Sequence, residues 1–141
     1  MTLKKMIMYT AIANPKSNFL LGASLDVLHH ESKEWLENIE FWQDEMKFFD
    51  KLLKNSPEGD DNHNATRDML EHVEGIHLDF FTQLQKDVRQ HERMLAMVEK
   101  NVPGISDEEY RENHRTLKSR VEHLENDFRT YKKVVFKFAL E

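Results

Sequence analysis

Eight histidines stand in a chain of 141 residues that has no cysteine, so imidazole and carboxylate are the groups through which this protein can do chemistry. Imidazole ligates iron, zinc and manganese, and it is the one side chain whose ordinary titration falls near neutrality. Thiolate metal sites, disulfides and cysteine nucleophiles are excluded by composition. The serines at 17, 24, 32, 56, 106 and 119 each fit a cap, a loop or a helix position, and none occupies the strained turn that presents an activated hydroxyl.

Whether the histidines converge depends on the elements that carry them. Two stretches concentrate turn-forming residues: Asn55-Ser56-Pro57-Glu58-Gly59-Asp60-Asp61-Asn62 and Asn101-Val102-Pro103-Gly104. After the second, Ser106 and Glu109 form a reciprocal capping pair, and Ile105 and Tyr110 take the hydrophobic staple positions, so a helix starts at Ser106. Between the joints, apolar residues recur in steps of three and four. The first row is Leu25, Leu28, Ser32, Trp35, Ile39, Trp42, Met46, Phe49 and Leu53. The third is Tyr110, His114, Leu117, Val121, Leu124, Phe128, Tyr131, Val135 and Phe138. The middle row reads Val73, His77, Phe80, Leu84, Val88, His91, Leu95, Val98 and Val102, with an extra step of four at Leu84 that predicts a stutter in the supercoil.

The apolar stripes are broad. Leu36, Phe41, Phe48 and Leu52 widen the first, Phe81, Met94 and Met97 the second, and Val134 and Phe136 the third, as expected of helices that each touch two neighbours. The fold class is therefore all-α: an up-down-up antiparallel bundle of three long helices with coiled-coil-like seams and a possible short N-terminal helix. Residues 1–22 form a separate N-terminal segment and residues 23–141 the bundle domain, with a third joint at Asn14-Pro15-Lys16-Ser17. Phe41 and Phe48, seven apart and off the main seam, call for a further cover. Either the N-terminal segment folds back with Met6, Ile7, Phe19 and Leu20, or a second subunit packs there, and a homodimer is the expectation.

Folding the chain on its joints, with 54 opposite 65 and 101 opposite 106, sets His91 opposite Leu28 and residue 116. His29, His30, His91 and His114 then fall within about one helical turn of each other. Asp87 lies four before His91, and Glu34 four after His30. These six residues are the candidate metal ligands, for iron, zinc or manganese in oxygen, redox or metal-sensing chemistry. A ferritin-like di-iron centre needs two Glu-x-x-His pairs, and only Glu74 with His77 is found. His29-His30-Glu31 resembles the signature of hemerythrin-like proteins, but that family's His-x-x-x-His pair is missing: His72 and His77 are five apart, on different helix faces. His114-Arg115-Thr116-Leu117-Lys118-Ser119 resembles the motif of histidine phosphotransfer modules with one residue too many, which rotates Leu117 and Lys118 by about 100° and leaves His114 on the buried seam. Neither family's residues carry over.

The simpler expectation is packing: His77 in an aromatic layer with Trp42 and Tyr131, Asp87 paired with Arg120 in the core, and His63 and His72 solvated. A pH-sensing role for seam histidines is the third option.

Net charge is −6, from 26 acidic and 20 basic residues, which disfavours nucleic acid and anionic membranes as partners. No stretch reaches the about 18 consecutive apolar residues of a membrane span. Near the N-terminus, Lys4 and Lys5 precede a short apolar run, and Ala11-Ile12-Ala13 imitates a signal-peptidase site, but Tyr9 and Thr10 interrupt the run, so cytoplasmic residence is the expectation. Arg129, Lys132, Lys133 and Lys137 cluster in the last turns of the third helix, at the negative end of its dipole. The function expected from these features is non-catalytic: a structural or protein-interaction module that acts on an unknown protein partner, needs no cofactor, and has metal binding as the alternative.

Overall fold

A computed structural model of the chain describes residues 24–140. Three long helices pack against each other: α1 (Leu25–Lys54), α2 (Asp61–Glu99) and α3 (Asp107–Leu140). No strand occurs among the described residues. The expected N-terminal helix, and the apolar residues proposed to fold back from it, lie outside the described residues.

Local chemistry sets the helix ends. Ser24 caps α1 by accepting from the Val27 N–H at 3.3 Å, and Asp60 caps α2 by accepting from His63 N–H at 2.8 Å. The predicted capping box opens α3: the Glu109 N–H donates to Ser106 Oγ at 3.0 Å, and the Ser106 N–H donates back to Glu109 Oε1 at 3.1 Å. α2 closes through Asn101, whose φ of 55° is left-handed, with Val102 N–H reaching back to the Met97 carbonyl and Asn101 N–H to Val98. Gly104, at φ 104°, then turns the chain where an L side chain would be strained.

The α3 row is buried in full, and the α1 row is buried from Leu28 to Leu53 with Leu25 half-buried. The α2 row differs from expectation. Its buried residues are Leu70, Glu74, His77, Phe81, Leu84, Val88, His91 and Leu95, an unbroken alternation of fours and threes. Phe81 is fully buried while Phe80 is 54% exposed, so the seam has no stutter. Where spacing of apolar residues points to Val73 and Phe80, the fold buries Glu74 and Phe81.

Two apolar clusters result. The larger runs from Trp35 to Leu53 on α1 with the facing parts of α2 and α3, and the smaller contains Leu28, Leu95 and Tyr110. Ser32, His91 and His114 are buried between them as a polar layer. The aromatic layer around His77 is present, with Tyr131 at 5.3 Å, Phe128 at 6.1 Å and Phe81 at 6.2 Å between ring centres; Trp42 joins it through Phe81 at 5.9 Å. His63, expected in solvent, is half-buried and stacks on Phe138 at 4.5 Å, while His72 is exposed. Of the residues expected to broaden the stripes, Leu36, Leu52, Met94 and Met97 are half-buried, whereas Phe41, Phe48, Val134 and Phe136 are exposed.

Candidate functional site

The polar layer is a chain of hydrogen bonds crossing all three helices. His91 on α2 and His114 on α3 face each other from seam positions, with His91 Nε2 2.9 Å from His114 Nδ1. Asn113, beside His114, places Nδ2 2.8 Å from His91 Nδ1 and 3.7 Å from Met94 Sδ. At the other end, His114 Nε2 is 2.7 Å from Glu31 Oε1 on α1, and Glu31 Oε2 is 3.2 Å from Lys118 Nζ.

One arrangement of protons satisfies the whole chain. The Asn113 amide donates to Nδ1 of His91, so the His91 proton sits on Nε2 and donates to Nδ1 of His114. The His114 proton then sits on Nε2 and donates to the Glu31 carboxylate, whose second oxygen accepts from the Lys118 ammonium. Both imidazoles are neutral in this state, and all four ring nitrogens are engaged.

Burial enforces that state. His91 is 0% and His114 1% exposed. Loss of hydration pushes the His91 pKa down to about 4, with the neighbouring His114 acting in the same direction. Burial also lowers His114, although the Glu31 carboxylate pulls the other way. For Glu31, burial acts upward but is outweighed by the hydrogen bonds from His114 and Lys118, and the carboxyl stays below its ordinary value. Tyr110 lies flat on His91, with ring centres 4.2 Å apart and planes 2° from parallel, and Trp35 covers His114 at 4.6 Å. Tyr110 is itself buried, which pushes its phenol pKa up.

A second polar pair lies further along the bundle. Glu74, on the α2 seam, lies beside the Asp50 carboxylate of α1. Burial and this second carboxylate push the Glu74 pKa up to about 7. Lys54 Nζ reaches Asp50 at 2.9 Å, and Glu74 Oε1 and the Tyr131 hydroxyl are buried without a protein partner.

Of the six residues expected to gather around a metal, the structure brings only His91 and His114 into contact. His29 pairs with Glu92, and His30, its ring centre 6.2 Å from that of His29, is exposed. Asp87 binds Arg120 at 2.8 Å, as its register predicted, but both partners are partly exposed rather than in the core. Glu34 is exposed on α1. Sharing a level in a bundle is not sharing a centre: His30 is turned about 100° from His29, and Glu34 lies on the flank of α1 that carries Phe41. Among the described residues no group of three or more His, Asp or Glu side chains is placed to hold a metal ion. The pair that does meet is closed by its own hydrogen bond, since an ion bound by both nitrogens at ~2.0–2.1 Å would need them spread further apart.

Glu31, Asn113 and Lys118 were not singled out as partners by the sequence. Glu31 and Asn113 touch the histidines from the edge of a seam, Lys118 acts on them through Glu31, and only the Lys118 position, four after His114, carries a periodic signal.

The exposed surface offers a different kind of site. Between α1 and α3 runs a groove of about 370 Å³ lined by Glu45, Phe48, Phe49, Arg129, Lys132 and Phe136. Phe48 is 53% and Phe136 45% exposed, and Phe41, two turns before Phe48 on the same flank, is 61% exposed. Lys132 bonds both oxygens of Glu45 at 3.2 Å and lies 4.8 Å from the Phe128 ring centre. No helix among the described residues is long and apolar enough to cross a membrane. No protein-family model matches the chain, and neither curated proteins nor solved structures show significant similarity to it.

Proposed function

We propose that this chain is a non-catalytic protein-interaction module, an up-down-up helical bundle that self-associates as a homodimer through the outer face of α1 and α3. The observation that carries the reading is the set of exposed phenylalanines on one face: Phe48 and Phe136 line the groove, and Phe41 lies two turns before Phe48 on the same flank. Three large aromatic side chains left together in water favour burial against another surface. The histidine layer supports the non-catalytic part. Its imidazoles are sealed from solvent and their nitrogens are committed to one another, to Asn113 and to Glu31, so the layer offers no open position to a substrate.

The up-down-up order is supported by which residues meet. Along α1, Glu31 meets Lys118, Glu45 meets Lys132 and Phe49 meets Phe136, a rising series on both helices. Between α2 and α3, His77 meets Tyr131, Asp87 meets Arg120 and His91 meets His114, rising on one and falling on the other.

The test is mass in solution. Light scattering and sedimentation at micromolar concentration are expected to show a dimer, and Phe48→Ser, which changes an exposed side chain, is expected to yield a folded monomer. A wild-type monomer across that range would refute the self-associating module.

A further inference from the structure

Resting on that reading, we infer that the α1–α3 face is its own complement: two copies pair about a two-fold axis passing near Phe41, the acidic half of each lying on the basic half of the other. The charge order along the groove is the basis. On α1, Glu34 lies seven residues before Phe41 and Phe48 seven after it, on one flank, with Glu37 beside that row. On α3, Glu122, Glu125, Arg129, Lys132 and Phe136 follow one another in steps of three and four, so they share the flank whose last three members line the groove. Contacts between the helices fix the levels. Glu31 pairs with Lys118 at one end, and Glu45 with Lys132 further along. These two pairs neutralise themselves. Asp44, seven after Glu37, is engaged by Lys47, and what remains is Glu34, Glu37, Glu122 and Glu125 before the middle, and Lys51, Arg129 and Lys133 after it, all exposed.

An isologous interface brings a patch onto itself turned by half a revolution. About an axis that lies in the interface and crosses the helices, each helix lies antiparallel on its own counterpart, so the early half of the face in one copy covers the late half in the other. Glu122 and Glu125 thereby reach Lys133 and Arg129 of the second copy, and they do so twice. A parallel, unrotated pairing would instead stack like charges.

The alternative occupant from this chain is residues 1–22, which contain Lys4, Lys5 and Lys16 and no carboxylate. That segment matches the acidic half and is repelled by the half where Phe48 and Phe136 lie. From Glu34 to Leu52 the face is about 27 Å long and two helices, roughly 20 Å, wide. About 500 Å² per copy places the dimer at the small end of specific interfaces, where micromolar dissociation constants are found.

Charge exchange tests the pairing, with sedimentation as readout and circular dichroism to confirm folding. Arg129→Glu with Lys133→Glu makes the α3 edge of the face acidic throughout, and Glu122→Lys with Glu125→Lys makes it basic throughout. Each double variant is expected to weaken self-association by about tenfold or more. Mixed together, the two variants are expected to form a one-to-one heterodimer, and all four changes in one chain restore the homodimer. If the wild type dimerises through Phe48 but the charge variants keep its affinity, the two-fold pairing is overturned while the interaction reading stands. If the wild type is monomeric and deletion of residues 1–22 yields a Phe48-dependent dimer, the N-terminal segment is the occupant and the inference is overturned. If it is monomeric with and without that segment, both the pairing and the self-associating module are refuted.

Discussion

Replacing Glu74 by Gln is expected to uncover a steep pH dependence of stability that the natural protein conceals. His91 titrates at about 4 in the fold against 6.5 for a free imidazole. A depressed folded value means that the unfolded chain takes up the proton first, so the stability from His91 is complete above pH 6.5 and is lost as the pH falls towards 4. The difference of about 2.5 units corresponds to about 3 kcal/mol. Glu74 works in the opposite sense. Its folded value of about 7 lies above the 4.5 of a free carboxyl, so its stabilisation is complete below pH 4.5 and is lost as the pH rises through 7. The magnitude is again on the order of 3 kcal/mol.

Between pH 4.5 and 6.5 the two slopes oppose each other, one gaining with pH what the other loses. His114, lowered by burial, acts with His91, so the wild type is expected to gain only modestly across this window. Glu74→Gln removes the falling contribution, and its unfolding free energy is expected to rise by about 2 kcal/mol from pH 4.5 to 6.5 through His91 alone, with His114 adding to the rise. His91→Asn weakens the rising contribution, and its profile is expected to shift towards a fall over the same interval. Urea denaturation at fixed ionic strength, followed by tryptophan fluorescence, measures both: Trp35 covers His114 and Trp42 covers Phe81, so the emission reports both parts of the core. A Glu74→Gln profile that is flat, or falls with pH, would refute the reasoning, because the buried imidazoles would then not be held in their neutral form.

Other substitutions probe separate parts of the structure. Phe81→Ala is expected to cost about 3–5 kcal/mol, and its neighbour Phe80→Ala under about 0.5 kcal/mol, by thermal or chemical denaturation; equal costs would contradict the uninterrupted α2 seam. Ser106→Ala removes the hydroxyl that accepts from the Glu109 N–H, leaving the reciprocal backbone half in place, and is expected to cost about 1 kcal/mol, visible as a lower Tm. Elemental analysis of natively purified protein is expected to find iron, zinc and manganese all well below one equivalent; a stoichiometric metal would show that His91 and His114 part to admit an ion.

Much of the architecture was legible because it is written in repeated apolar spacing and in local capping chemistry. The α1 and α3 rows contain no charged residue, so their periodicity has one solution. α2 does not: Glu74 interrupts its apolar row, Phe80 and Phe81 are equally hydrophobic neighbours, and only contact with α1 and α3 selects Phe81. The joints placed Asp87 opposite Arg120 and His91 near His114, since a register is a one-dimensional quantity that loop positions determine. Convergence on a site is three-dimensional. His29, His30 and Glu34 share a level with the pair but point along different radii, and Glu31 and Asn113 reach it through side-chain directions that spacing does not encode.

The polar layer also has a physical consequence for the fold that carries it. Rows of Leu, Val and Phe repeat every three or four residues, so a slip of α2 along α3 by a heptad would still bury apolar against apolar. The same slip would separate His91 from His114 and Asn113 and leave two imidazoles and an amide with unsatisfied groups, while the His114–Glu31 contact between α3 and α1 persists. Each orphaned group costs about 1–3 kcal/mol, so the slipped alignments are disfavoured by several kcal/mol together. The hydrogen bonds contribute less to total stability than this difference suggests, because water would also satisfy these groups in the unfolded chain. Their effect is on uniqueness. One alignment satisfies the Asn113–His91–His114–Glu31 chain, and that alignment sets the level at which α1 and α3 present Phe41, Phe48 and Phe136 on a common face.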